Sequence, residues 1–261
     1  TLFARHPDAG LLTAVLTALN DVLTRRVIER VLADRGQPPA PWCWVVMGSG
    51  GRFEQTFSTD QDNGLIFSAA SAAEAAALRS WFLPLGQAVN QALDRCGIPL
   101  CAGGIMAGNG DCCLSLDEWK ERFYGWIRTP DQTALLNATI FFDYRPLFGD
   151  LALAQELRRE LLALTQGHPA FQRFLAVNAL DVAPPVGVLR DFITTSAAGK
   201  RPGIDLKKSG ARLFVDIARI VALAGGCAEP STVARLRSAG PAWGLQRGEV
   251  DSAVQAFAEL Q

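Results

Sequence analysis

The spacing of apolar positions changes character along the chain. Over Leu11–Leu32, the residues Leu12, Val15, Leu16, Leu19, Val22, Leu23, Val27, Ile28 and Val31 recur at helical intervals, with Arg25, Arg26 and Arg30 between them. This predicts an amphipathic helix that ends near Gly36. Gln37–Pro41, with its three prolines, is a rigid connector. Trp42–Met47 is an unbroken apolar run of β-formers and predicts a buried strand, which Gly48–Gly51 stops abruptly. A second strand is expected over Asp60–Phe67 and a third over Ile98–Met106. Between them, Ala72–Cys96 places Leu78, Phe82, Leu85, Val89 and Leu93 on one helical face, with Pro84 expected to kink it or begin a second piece.

Beyond this point the pattern is helical only. Ser115 with Glu118 fits a capping box opening a helix through Ile127, whose Trp119, Phe123 and Trp126 form an aromatic face suited to a core. Thr129-Pro130-Asp131 opens another, expected to run through Phe141–Phe142 towards Gly149. Further helices are expected at Leu151–Leu164, Ala170–Leu180, Leu206–Ala224, Thr232–Ser238 and Glu249–Leu260. The fold class is therefore α+β: a small mixed-sheet domain over residues 1–128 with an N-terminal helix, then an all-helical bundle over 129–261.

Composition narrows the setting. The 25 Lys+Arg against 26 Asp+Glu leave a net charge of −1, which excludes a broad cationic coat for nucleic acid or membrane, though not a local basic pocket. At 49% hydrophobic residues the chain can build a substantial core, and no run of about 18 apolar residues suggests a membrane span. The six cysteines make no C-x-x-C pair, and only His6 and His168 accompany them, so zinc-site spacings are absent. They read as small buried thiols of a reducing cytoplasm. The chain begins at Thr1 with no charged-then-apolar leader, and the missing initiator Met suggests an excised piece with regulatory domains upstream.

Chemistry concentrates in Met47–Asn63. A P-loop would need a Lys that is not there, and Phe53 stands where a dinucleotide fingerprint needs its third glycine. What remains is a strand running into Gly48-Ser49 and a short helix. Small residues with free backbone N–H groups there let a phosphate approach the main chain closely. About ten residues later, Asp60 and Asp62 stand two apart in an expected strand, so alternation turns both carboxylates to the same side. Paired carboxylates repel unless a cation lies between them, and Mg²⁺ takes a few carboxylates plus substrate phosphate oxygens. A phosphate cradle beside a Mg²⁺ clamp is the minimum equipment for phosphoryl or nucleotidyl transfer. Arg52 and Glu54 lie between the two parts and are read as nucleotide-binding, with an ordinary ion pair as the alternative. Lys207 and Lys208, with Arg212, are either a solvated face or a basic wall towards a triphosphate, and Arg145 pairs with Asp143 or reaches the same cleft.

Gly48-Ser49-x-Gly51-Arg52-x-Glu54-Gln55 followed by Thr59-Asp60-Gln61-Asp62-Asn63 resembles a bacterial family of nucleotidyltransferases related to the PII-protein uridylyltransferase, within the polymerase-β-like superfamily. Cys101–Asn109, Ser115–Trp119, Ile140–Arg145 and Leu206–Lys208 look like its later blocks. The resemblance implies that Gly48 and Ser49 hold an NTP, that Asp60 and Asp62 ligate Mg²⁺, and that the helical domain binds the substrate. It further implies an unknown protein or small-molecule acceptor, a part in signal transduction, and cyclic-nucleotide-binding or CBS domains upstream. Superfamily enzymes usually add a third carboxylate from a neighbouring strand, yet Ile98–Met106 contains no acid and Asp111 lies beyond it. A nucleotide-sensing module without turnover is the alternative function.

Overall fold

The structure, a computed structural model, describes residues 9–180, 206 and 210–261. Four strands form one mixed sheet among them: β1 (Trp42–Met47), β2 (Asn63–Phe67), β3 (Cys113–Ser115) and β4 (Tyr144–Gly149), in the order β3-β2-β1-β4. β1 is antiparallel to both β2 and β4, while β3 runs parallel to β2. The apolar run of β1 has no polar alternation because both faces of the sheet are covered. On one face α1 (Ala9–Arg35) and α3 (Ala72–Arg95) pack Ile28, Phe82, Leu85 and Val89 against Trp42, Trp44, Leu65 and Phe67. On the other, α4 (Leu116–Arg128) and α5 (Gln132–Phe141) bring Trp119, Phe123 and Phe141 into an aromatic cluster with Phe142 and Tyr144. The indole N–H of Trp119 donates to the Leu65 carbonyl at 3.1 Å, which satisfies its polar end inside that core. The Ser115–Glu118 capping box opens α4 as expected.

Several expectations are corrected. β2 begins at Asn63, not Asp60, because its ladder ends at the Val46↔Asn63 pair, where β1 gives way to α2 (Gly48–Gly51). Ile98–Met106 is not a strand. Pro99 offers no N–H, and Gly104 takes φ +71°, so the segment is a turn-rich loop, and the third strand forms later at Cys113–Ser115. Tyr144–Gly149 is a strand and not helix. Pro146 cannot continue a helix but is tolerated on an edge strand, where a register shift opposite Trp44/Val45 accommodates it. α3 passes unbroken through Pro84.

The expected apolar face of α1 packs on the core only in its C-terminal half, through Leu23, Val27, Ile28 and Val31, and differs in the N-terminal half. Its buried residues are Thr13, Thr17, Asp21, Thr24 and Ile28, whereas Leu11, Val15, Leu19 and Val22 are exposed. A polar stripe is buried because Thr17 accepts from the Gln55 N–H and Asp21 pairs with the Arg145 guanidinium. Of the cysteines, Cys43, Cys112 and Cys113 are buried, but Cys96 is exposed and Cys101 and Cys227 are half-buried; all are free thiols.

The chain divides into two compact units, Thr1–Leu164 and Thr165–Gln261, so the division expected near residue 128 falls inside the first, between α4 and α5. That unit extends past residue 128 because β4 completes the sheet and α6 (Leu151–Gln166) follows it. The second unit holds α7 (Pro169–Leu180), α8 (Arg212–Ala224), α9 (Thr232–Ala239) and α10 (Arg247–Leu260), and contains no strand among its described residues. Ala218, Leu236 and Val250 form its core. Among the described residues no helix is long and apolar enough to cross a membrane.

Candidate active site

Met47 is the last residue of β1, and the chain then turns at once into α2, with Gly48 at φ +56°. Only glycine takes that conformation cheaply. Gly48 is also close-packed: a Cβ there would stand 2.7 Å from Oδ2 of Asp62. Gly51 is held equally tightly, since a Cβ would meet the Asp143 carbonyl oxygen at 2.1 Å. No side chain caps the first turn of α2, and the Ser49 hydroxyl, half-buried, makes no hydrogen bond among the described residues. The bend thus offers small residues and main-chain donors beside a carboxylate.

Asp60 and Asp62 lie in the extended lead-in to β2. The Met47 N–H donates to the Asp62 carbonyl at 2.9 Å, which carries the β1–β2 pairing one step past the strand end. The alternation expected of a strand therefore survives without one. Gln61 and Asn63 turn inward and are buried, while Asp60 is exposed and Asp62 half-buried on the opposite side. Ligand atoms of Asp60, Asp62 and Cys101 all lie within 4.8 Å of one another. The structure brings together the two predicted acids and adds a thiol.

A buried amide network fixes this lead-in. Gln61 Nε2 donates to the carbonyls of Asn90 (3.0 Å) and Ile98 (2.8 Å), and Asn90 Nδ2 donates to Gln61 Oε1 (2.8 Å) and Asn63 Oδ1 (2.9 Å). Asn63 Oδ1 also accepts from Ala107 N at 2.8 Å, and Asn90 Oδ1 from Gly108 N at 2.8 Å. On the backbone, Gln61 N donates to Pro99 O and Asn63 N to Ile105 O, both at 3.0 Å. The loop carrying Cys101 is thereby tied to the acidic segment on both sides of the thiol. Burial first, and then the charge and hydrogen bond of Asp62, push the Cys101 thiol above its usual range, against opposing bonds from the Ile105 and Gly103 backbone.

Arg52 and Glu54 are placed inside an ion cluster. Arg52 Nε donates to Glu54 Oε2 at 2.7 Å and Arg52 Nη1 to Asp143 Oδ2 at 2.8 Å, with the Asp143 side chain fully buried. Arg145 does not pair with Asp143. Its Nε donates to the Gly50 carbonyl (2.9 Å), its Nη2 to Asp21 of α1 (2.7 Å), and its guanidinium lies 4.0 Å from the Phe53 ring centroid. Phe53 itself has φ +63°, a conformation rare for a residue with a side chain. α1 adds Thr17, whose Oγ1 accepts from Gln55 N (3.3 Å), and Asn20, which donates to Gln55 Oε1 (3.2 Å). The buried polar stripe of α1 thus braces the Gly48–Gln55 segment.

Asp111 is bound to Arg122 and belongs to no metal-ligating cluster among the described residues. Lys207 and Lys208 lie outside the described residues, and Arg212 pairs with Asp216 at 3.4 Å. Sequence reasoning missed Gln61, Asn63, Asn90, Asp21 and the position of Cys101 beside the acids. The residues between and beside the two acids carried a signal in their amide side chains, and Thr13, Thr17, Asp21 and Thr24 a signal in their helical spacing.

The two carboxylates are donors of the kind a hard divalent cation takes: Asp60 and Asp62 converge, Asp62 rests against the bare Cα of Gly48, and the Cys101 thiol is the third ligand atom of the cluster. Residues 1–133 match the family model described as "Putative nucleotidyltransferase DUF294", and residues 169–261 match its companion, "Putative nucleotidyltransferase substrate binding domain". A comparison with curated proteins gives no match.

Proposed function

The chain belongs to the nucleotidyltransferase family DUF294, and from this membership and the site's geometry we infer that it moves a nucleotidyl group from a Mg²⁺-bound NTP to an acceptor. The carrying observation is the convergence of Asp60 and Asp62 beside the Gly48-Ser49 bend. In this reading Asp60 and Asp62 hold the cation, which when bound neutralises triphosphate charge and polarises the α-phosphorus. The bare Cα of Gly48 seats the Asp62 carboxylate at the bend, and the Ser49 hydroxyl and the bend's N–H groups orient the phosphates. The acceptor oxygen attacks the α-phosphorus and pyrophosphate leaves. Arg52 and Glu54 act on the nucleotide only by holding the bend against β4, because their charges are engaged with Asp143 and with each other. The second unit, Thr165–Gln261, would recognise the acceptor, a protein or small molecule of a signalling system.

A second reading, nucleotide sensing without turnover, is favoured by one observation: the described residues place a thiol, not a third acid, beside the pair. Incubation with α-labelled NTPs, Mg²⁺ and cell extract tests both readings, with Asp60→Asn/Asp62→Asn as the control. Transfer that the double variant abolishes supports the enzyme. Mg²⁺-dependent NTP binding with no pyrophosphate release supports the sensor, and equal labelling by both proteins would defeat the assignment of these acids.

A further inference from the structure

Behind the acidic lead-in, on the side of the sheet that α1 and α3 cover, lies a cavity of about 30 Å³. Asp21 and Thr24 of α1, Trp44 of β1, Gln55, Asn63 and Ile98 are among the residues that line it. Trp44 is 0% exposed, and its indole N–H has no hydrogen-bond partner among the described residues. The buried indole of Trp119, by contrast, is satisfied by the Leu65 carbonyl. Other groups on the cavity wall are also incompletely used. Asn63 Oδ1 is filled by Asn90 Nδ2 at 2.9 Å and Ala107 N at 2.8 Å, yet Asn63 Nδ2 makes no hydrogen bond among the described residues. The Thr24 hydroxyl likewise makes none among them, and Asp21 gives one oxygen, Oδ1, to Arg145. All four residues are at most 9% exposed, so bulk solvent does little to serve them. Polar groups this deep are costly unless something bonds to them.

The inventory of donors and acceptors selects the occupant. An indole and an amide NH₂ only donate, a carboxylate only accepts, and a hydroxyl does both. An anion would suit the two N–H donors but meet the Asp21 charge, and a cation would suit Asp21 but meet the two donors. Water, with two lone pairs and two hydrogens, matches both halves. It needs about 10–15 Å³ and two to four polar partners, so the cavity has room for about two molecules. We propose that this cavity is an internal hydration site, whose water accepts from the Trp44 indole N–H and Asn63 Nδ2 and donates to Asp21 and the Thr24 hydroxyl. Bound there, the water joins α1 to β1 and to the residue that follows Asp62. The wall behind the acids is thereby completed by solvent and not by a side chain, whatever the acids themselves bind.

Nuclear Overhauser transfer from water to the Trp44 indole proton, measured on the isotope-labelled full chain, reads the contact directly. The resonance is identified by its loss in Trp44→Phe or, should that variant not fold, by sequential assignment of the wild type. A cross-peak to water is expected, with the sign of a molecule that tumbles with the protein. Thr24→Val keeps the side-chain volume and removes a hydroxyl that could relay the signal by proton exchange. The cross-peak should persist in that variant, because Trp44, Asn63 and Asp21 still supply three partners. An indole proton without a water cross-peak, a cross-peak with the sign of freely diffusing water, or one lost in Thr24→Val overturns the proposal. Should Thr24→Val not fold, water-oxygen relaxation dispersion of the wild type, which hydroxyl protons do not enter, replaces it. At least one long-lived water is then expected, and none would be equally fatal.

Discussion

The carboxylate of Asp62 rests against the α-carbon of Gly48, so closely that a methyl group there would stand 2.7 Å from Oδ2. Gly48 and the metal-ligand candidate therefore share one volume, and the glycine serves two ends: its positive φ turns β1 into α2, and its bare Cα seats the acid.

Gly48→Ala is expected to cost about 1–2 kcal/mol from the left-handed backbone alone, with a further cost from the contact with Asp62. Metal and NTP binding should fall more than stability does, because the displaced group is Asp62 itself. Calorimetric titration beside a urea melt checks this; unchanged binding with lowered stability would contradict it.

Asn90→Leu tests the amide network. It removes the shared partner of Gln61, Asn63 and the Gly108 N–H, leaving buried polar groups unmatched. Unsatisfied groups cost about 1–3 kcal/mol each, so a loss of at least about 2 kcal/mol is expected. Urea midpoints measure it, and a near-neutral result would mean water re-enters the site freely.

Arg52→Met should destabilise, because it removes the guanidinium that donates to the fully buried Asp143 carboxylate at 2.8 Å, and taking one partner from a buried ion pair costs about 3–5 kcal/mol. Adding Asp143→Asn should return part of that loss, although each single change is harmful. A double-mutant cycle gives the coupling, and strict additivity would show that the pair does not act as a unit.

Acid should weaken the first unit partly through Glu118. Burial opposes ionisation there, but bonds from Arg79 and from the Ser115 amide and hydroxyl outweigh it and hold the carboxyl below its usual range. A carboxyl depressed in the folded state stabilises above its unfolded pKa, and that stability goes as pH falls through the folded value. Wild-type urea midpoints should therefore drop below about pH 5, while Glu118→Gln starts lower at neutral pH and has a shallower acid slope. Identical slopes would remove Glu118 from the account.

Thiol reactivity should follow burial. Burial pushes Cys43, Cys112 and Cys113 up to about 12, so at neutral pH they remain thiols shielded from reagents. Exposed Cys96 should alkylate first, and the three buried thiols only on unfolding. Mass spectrometry of a timed iodoacetamide reaction gives the order.

Local pattern determined what depends on near neighbours. The apolar run of β1, the Gly-Ser bend, the capping box before α4 and the shared side of Asp60 and Asp62 follow from period, cap chemistry and alternation, which act over a few residues. Tertiary structure decided what depends on distant partners. β4 exists because β1 offers an edge to Tyr144–Gly149, and Cys101 reaches the acids because Asn90 and Gln61 draw its loop against them. Arg52 is turned to Asp143, 91 positions away, and Arg145 to Asp21, 124 positions away. The free energy of such pairings belongs to neither segment alone, and so it leaves no periodic trace in either.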